Sequence, residues 1–215
     1  EGGEPVLTDL MDFFLYCLLD PVYLWRHMGG KAFPAFSNWL LIKRIESLRD
    51  AMRRALEGSR FLPVSRIADL ARSVRGIVST GNQAGEGWLL TAEMLELIDH
   101  GVGNVLCLQP FGCLPNHITG KGVLKELKRI RPHANLMAVD YDPGSSEANQ
   151  LNRIKLFMTV AHSRIPQEAQ GDHAPASLNE SVAQLAGRLR DNLKGKLENT
   201  IGGSGNSGDE VTNLA

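Results

Sequence analysis

The sequence has little of what a secreted, membrane-spanning or polyanion-binding protein needs. Cysteine occurs three times in 215 residues, at Cys17, Cys107 and Cys113. An odd number at wide spacing makes no disulfide framework of the secreted kind, and a reducing cytoplasm is the expected compartment. Charge of one sign is missing too: 23 Lys and Arg stand against 24 Asp and Glu, a formal net charge of -1. No global positive field exists to draw in a nucleic acid or an anionic membrane, so neither is an expected partner. The longest strongly apolar run, FFLYCLL at 13–19, stops between Asp12 and Asp20, far short of the ~20 residues a membrane-spanning helix needs. The chain opens EGGEPVLTDL, without a methionine, a basic n-region or a small-residue cleavage site. No signal peptide is visible there, and the missing start residue leads us to expect a fragment of a longer protein.

What is present is a hydrophobic content of 43%, enough for a sizeable core in one domain with appendages. Residues 6–28 are apolar on almost every side, so their helix needs covering all round, and Pro21 is expected to kink or end it. From 38 to 57, Leu41, Ile45, Leu48, Met52 and Leu56 recur at helical spacing, with Asn38 able to cap the start and Gly58 the end. From about residue 74, short apolar runs alternate with helical patterns. IVS, NVLCL and LMAV read as strands, continuous in apolarity as a sheet covered on both faces requires. The expected fold is α/β: a doubly wound, mostly parallel Rossmann-like sheet with helical N- and C-terminal additions. Its parts are a helical segment at 1–60, the α/β subdomain at 61–165, a C-terminal helix at 166–200 whose capping box is Ser177 and Glu180, and a disordered tail at 201–215.

In such a sheet, ligands bind beyond the carboxyl ends of the strands. Three loops fall there. TGNQAGEGW at 80–88 carries Gly81, Gly85 and Gly87, which permit close backbone approach to an anionic or cofactor group, although their spacing is not that of the dinucleotide fingerprint. A tight strand-to-helix connection is the plain alternative, and Asn82, Gln83 and Glu86 keep the binding reading open. QPFGCLPNH at 109–117 presents Cys113 on a turn stiffened by Pro110 and Pro115. Cys107, inside a strand, reads as a small buried hydrophobe. His117 invites a Cys/His nucleophile, but the spacing is only local and no oxyanion-hole motif accompanies it; a zinc site lacks ligands. DYDPGSSEANQLNR at 140–153 puts Asp140 and Asp142 at a strand end and Ser145 or Ser146 at a helix N-cap.

Two stretches, GNQAGEGWLLTAEMLELIDHGVGNVLCLQPFGCLPNHITGKG and DYDPGSSEANQLNRIKL, resemble the C-terminal region of the acyl-CoA dehydratase activase-related proteins, the CoA-substrate-specific enzyme activase and 2-hydroxyacyl-CoA dehydratase-like family. The resemblance covers about residues 76–162. It implies a 4Fe-4S or related iron-sulfur cluster held by cysteine thiolates and reduced at low potential by an ATP-hydrolysing activase domain or subunit. Cys113 matches the cysteine of the family's QPFGC motif and takes the metal-ligand role. Asn82, Gly85, Glu86, Gly87, Asn116 and Asp142 are the candidate cofactor-binding residues around it. One thiolate cannot hold a cubane, so the chain alone is expected to bind none, to be inactive in isolation and to need other cysteine-bearing subdomains. The alternative is a noncatalytic module that binds a partner subunit, a CoA-like ligand or a second copy of itself.

Overall fold

The computed structural model describes residues 2–59, 61–142, 144 and 146–164, together with Gly187, Arg190, Asp191 and Lys194, which are helical. The expected C-terminal helix and tail otherwise lie outside the described residues, as do Ser177 and Glu180. The chain divides into two compact units, one of residues 1–46 and 64–173 and one of 47–63 and 174–215.

In the first unit, α1 spans Leu10–Met28 and starts where the Asp9 carboxylate accepts the Met11 N–H at 3.0 Å. It does not stop at Pro21. A proline in a helix interior removes one donor and costs about 3 kcal/mol, but buried Leu15 and Tyr16 hold the segment before it and the Tyr23–His27 ring contact holds it after. The stop comes at Gly29, in the left-handed region with φ 68°. Helix α2, Ala32–Leu56, begins earlier than its periodicity predicts, and Asn38 lies inside it rather than at its cap. The buried positions of α2 in this unit are Ala35, Ile42 and Glu46, whereas Leu41, Leu48 and Met52 of the expected stripe are exposed. Glu46 turns inward because its carboxylate accepts the Ile67 N–H at 3.0 Å, serving a backbone donor at the start of the next helix.

That helix, α3 (Ile67–Ser73), leads not into a strand but into turns. Ile77 and Val78 both donate to the Val74 carbonyl, and Gly76 has φ 84°. The apolar trio IVS therefore closes a helix end, and no third strand exists among the described residues. Helix α4, Gly87–Asp99, is the most buried element, with Trp88, Leu89, Thr91, Ala92 and Leu95 all out of solvent. Strand β1 (Asn104–Pro110), a π-helical turn (Asn116–Gly120), a 3-10 turn, α5 (Leu124–Ile130), β2 (Asn135–Tyr141) and α6 (Glu147–Ser163) complete the unit.

The two strands pair in parallel, with Cys107 opposite Ala138 and Leu108 opposite Val139. The fold is thus mixed helix and strand around a two-stranded parallel sheet. On one face Val105, Cys107 and Leu136 join the core formed with α4 and α5. On the other, α6 packs on β2: Val139 is 1% exposed, whereas its neighbour Leu108 is 55% exposed. The expectation of a sheet buried on both faces fails at β1, whose side chains alternate between buried and open.

In the second unit, the last turns of α2 carry an Arg53–Asp50 ion pair, and the helix ends at Leu56, two residues before Gly58, whose φ of 71° lies in the left-handed region.

Candidate functional site

The carboxyl end of β1 runs straight into the turn that holds Cys113. Gly112, with φ 70°, reverses the chain, the Cys113 N–H donates to the Pro110 carbonyl at 3.2 Å, and the His117 N–H donates to the Cys113 carbonyl at 3.1 Å. Cys113 therefore sits immediately before a helical segment that continues into the π-helical turn, and its thiol is partly exposed. The amide of Asn116, one turn on and buried, donates to Cys113 Sγ at 3.1 Å and lies 3.4 Å from Glu86 Oε2. Three of the predicted site residues, Glu86, Cys113 and Asn116, are thereby brought to one corner.

That corner is made by two interlocked loops. A Cβ on Gly85, whose φ is 60°, would lie 2.8 Å from Pro115 Cγ, so the glycine lets loop 80–88 press on the cysteine turn. At Gly87, φ 43°, a Cβ would lie 1.8 Å from the Asn82 carbonyl oxygen and 2.4 Å from the Tyr16 hydroxyl. The space over both glycines is filled by protein atoms. Asn82 braces its own loop, since its side chain donates to the Ser79 carbonyl at 3.0 Å while its carbonyl accepts the Trp88 N–H. Gln83 donates to the Thr80 carbonyl at 2.7 Å. Asp142 serves its own turn, accepting the Gly144 N–H at 3.0 Å, and no hydrogen bond joins His117 to the thiol, whose partner is Asn116.

The residues that hold the turn in place give no signal in the sequence. Thr91 Oγ1 donates to the Thr119 carbonyl at 2.6 Å, and Thr119 Oγ1 donates to the Pro115 carbonyl at 2.8 Å, fastening the π-helical turn to α4. A Cβ on Gly120 would lie 3.0 Å from Cys107 Sγ, so this glycine lets the turn lie against β1. Gln109, 1% exposed, donates to Cys107 Sγ at 3.0 Å while its Oε1 is buried without a partner. For Gln109 alone there is a hint, the polar residue that ends NVLCLQ.

The two neighbouring thiols differ in chemistry. Burial pushes the Cys107 thiol up, partly offset by the Gln109 hydrogen bond, with Glu86 and Glu93 adding to the rise; it stays protonated in the core. Cys113 has an amide donor and access to solvent. Among the described residues no group of three or more His, Cys, Asp or Glu side chains is placed to hold a metal ion, and Cys17 is exposed on α1. Cys113 thus fits one ligand position, not the three or four that a cubane requires.

Two other charged sites flank the sheet. At the carboxyl end of β2, Asp140 binds Lys121 at 3.3 Å and Arg153 at 3.1 Å. Burial by itself raises the Asp140 carboxyl, and the hydrogen bonds from Lys121 and Arg153 more than offset it, holding it below the usual carboxylate range. At the amino end of β2, a cleft of about 360 Å³ is lined by Arg75, Asp99, Glu126, Arg129 and Arg131. Arg131 grips Asp99 at 2.7 and 3.1 Å, and Arg129 grips Glu126 at 2.6 and 2.9 Å, so these charges already satisfy one another. No helix among the described residues is long and apolar enough to cross a membrane. No family model matches the chain, and no curated protein and no solved structure is significantly similar to it.

Proposed function

We propose that the chain is a cysteine-presenting α/β subdomain of an iron-sulfur redox protein of the 2-hydroxyacyl-CoA dehydratase and activase class. In this reading Cys113 gives one thiolate to a cluster whose other ligands come from other cysteine-bearing segments, and the electrons come from an ATP-hydrolysing activase domain or subunit. One observation carries the proposal: Cys113 Sγ stands at the start of a helical segment with the Asn116 amide 3.1 Å away. Donors to a ligand sulfur are what a protein uses to fix and tune it. Gly112 aims the thiol, Asn116 holds it, and the Gly85–Pro115 contact sets the turn against loop 80–88.

The finer fold proposed is the doubly wound, Rossmann-like sheet. It is supported by the winding of the chain, with α5 packed in the core on one face of the sheet and α6 on the other. The open side of β1 at Leu108 is where a further layer fits.

The test is made on the natural polypeptide that carries this sequence, purified under argon. Stepwise dithionite addition is expected to bleach a broad visible absorption reversibly, and Cys113→Ser is expected to remove most of that change. Full bleaching in a folded Cys113→Ser protein would withdraw the assignment.

A second reading, a noncatalytic module for a partner subunit or CoA-like ligand, is favoured by the exposed apolar side chains of α1 and the start of α2. A colourless protein that shows no dithionite response before any substitution supports it.

A further inference from the structure

We propose that the outward face of α1, continued by the start of α2, is the interface of a two-fold symmetric dimer of this chain, with α1 packed antiparallel on its copy. Leu10 is 70%, Phe14 53%, Trp25 50% and Met28 71% exposed on α1, and Phe33 and Phe36 are 80% and 62% exposed on α2. At side-chain areas of about 150–250 Å², these exposures amount to roughly 750 Å². Roughly 500 Å² of this lies on α1 and the rest on the start of α2, which follows after three residues, against the about 800 Å² that a standard interface takes from each partner.

A second copy is the occupant because the face complements itself. The outward positions of α1 run Leu10, Phe14, Cys17, Pro21, Leu24 with Trp25, and Met28, without a charge among them. A two-fold axis near residue 19 sets Leu10 against Met28, Phe14 against Leu24 and Trp25, and Cys17 against Pro21. Small side chains meet at the crossing, where helix axes approach to about 8–10 Å, and large ones fill the flanks. With a rise of 1.5 Å per residue and Cα atoms about 2.3 Å off the helix axis, the two Cys17 Cα atoms stand about 7–8 Å apart, at or just beyond the limit for a disulfide and within reach of a short crosslinker.

The inference is independent of the role of Cys113, since neither the face nor its test includes that turn. Sedimentation velocity of the 215-residue chain at micromolar concentration is expected to show a dimer, and a short bis-maleimide is expected to join the copies through Cys17. Cys17→Ser should abolish the covalent dimer while leaving the sedimenting dimer intact. Phe14→Glu, at an exposed position where circular dichroism is expected to be unchanged, should raise the dissociation constant at least about a hundredfold. A monomer, an open-ended series of larger species, a dimer that Cys17 does not crosslink, or a dimer that survives Phe14→Glu would each overturn the proposal.

Discussion

Two cysteines separated by five residues have opposite environments, and the difference lies in what surrounds each sulfur. Cys107 is enclosed by β1, Gly120 and Gln109, whereas Cys113 lies past the strand end with Asn116 as its donor. The sequence told these apart, because one sits inside an apolar run and the other follows Pro-Phe-Gly. It did not tell that Glu93 would lie half-buried near the buried Asp12. Burial and the neighbouring Asp12 carboxylate raise the Glu93 carboxyl to about 8, against a lowering hydrogen bond from Thr8. The sign follows directly. The folded state keeps a proton that the unfolded chain gives up above about 4.5, so stability falls as pH rises from there to about 8 and is level beyond. Glu93→Gln is expected to flatten that slope and to stabilise the chain at pH 7 by up to about 3 kcal/mol. Urea unfolding at pH 5, 7 and 8.5 measures it; equal slopes in both proteins would refute the burial of this carboxyl.

Among the elements, the glycine-rich loop changed most between sequence and structure. Three glycines before a helix predict room for a ligand, yet the room is taken by Pro115, by the Asn82 carbonyl and by the Tyr16 hydroxyl. A sequence pattern reports that backbone comes close to something; it does not report that the something is the protein itself. Gly87→Ala is expected to cost at least about 3 kcal/mol, because the added carbon meets backbone as well as a positive φ. Gly101→Ala, also at positive φ but with open space around it, should cost about 1 kcal/mol. Thermal unfolding separates the two, and equal losses would mean that the close approach at Gly87 is not real. The α4, β1, β2 and α6 segments were legible because short apolar runs alternate there with longer helical patterns. IVS was not, since three apolar residues suit a strand and a helix end alike, and Gly76 with the Val74 carbonyl decided for the latter. In α2 the hydrophobic stripe misled because a carboxylate, Glu46, had a backbone donor to serve inside.

For the molecule as a whole, the first unit pairs a packed core around α4 with a sheet open along β1 and a helix face open along α1. As proposed, further layers of the fold meet the first opening and a second copy of the chain meets the second. The N-terminal helix was expected to need cover on all sides; α1 buries Asp12, Leu15 and Tyr16 and leaves the opposite face open. The site itself was half legible. Cys113, Asn116 and Glu86 were picked out by their loops, while Thr91, Thr119 and Gln109 were hidden because a hydroxyl or an amide inside an apolar segment gives no periodic signal.

In the proposed function one thiol of this chain, Cys113, is a cluster ligand and the other two are not. Iron per polypeptide, measured on the anaerobically purified natural protein and on its Cys17→Ser, Cys107→Ser and Cys113→Ser variants, distinguishes the three. Full iron is expected in the first two variants and at least a severalfold loss in the third. Undiminished iron in a folded Cys113→Ser variant, or an equal loss in a folded Cys107→Ser variant, would contradict the assignment.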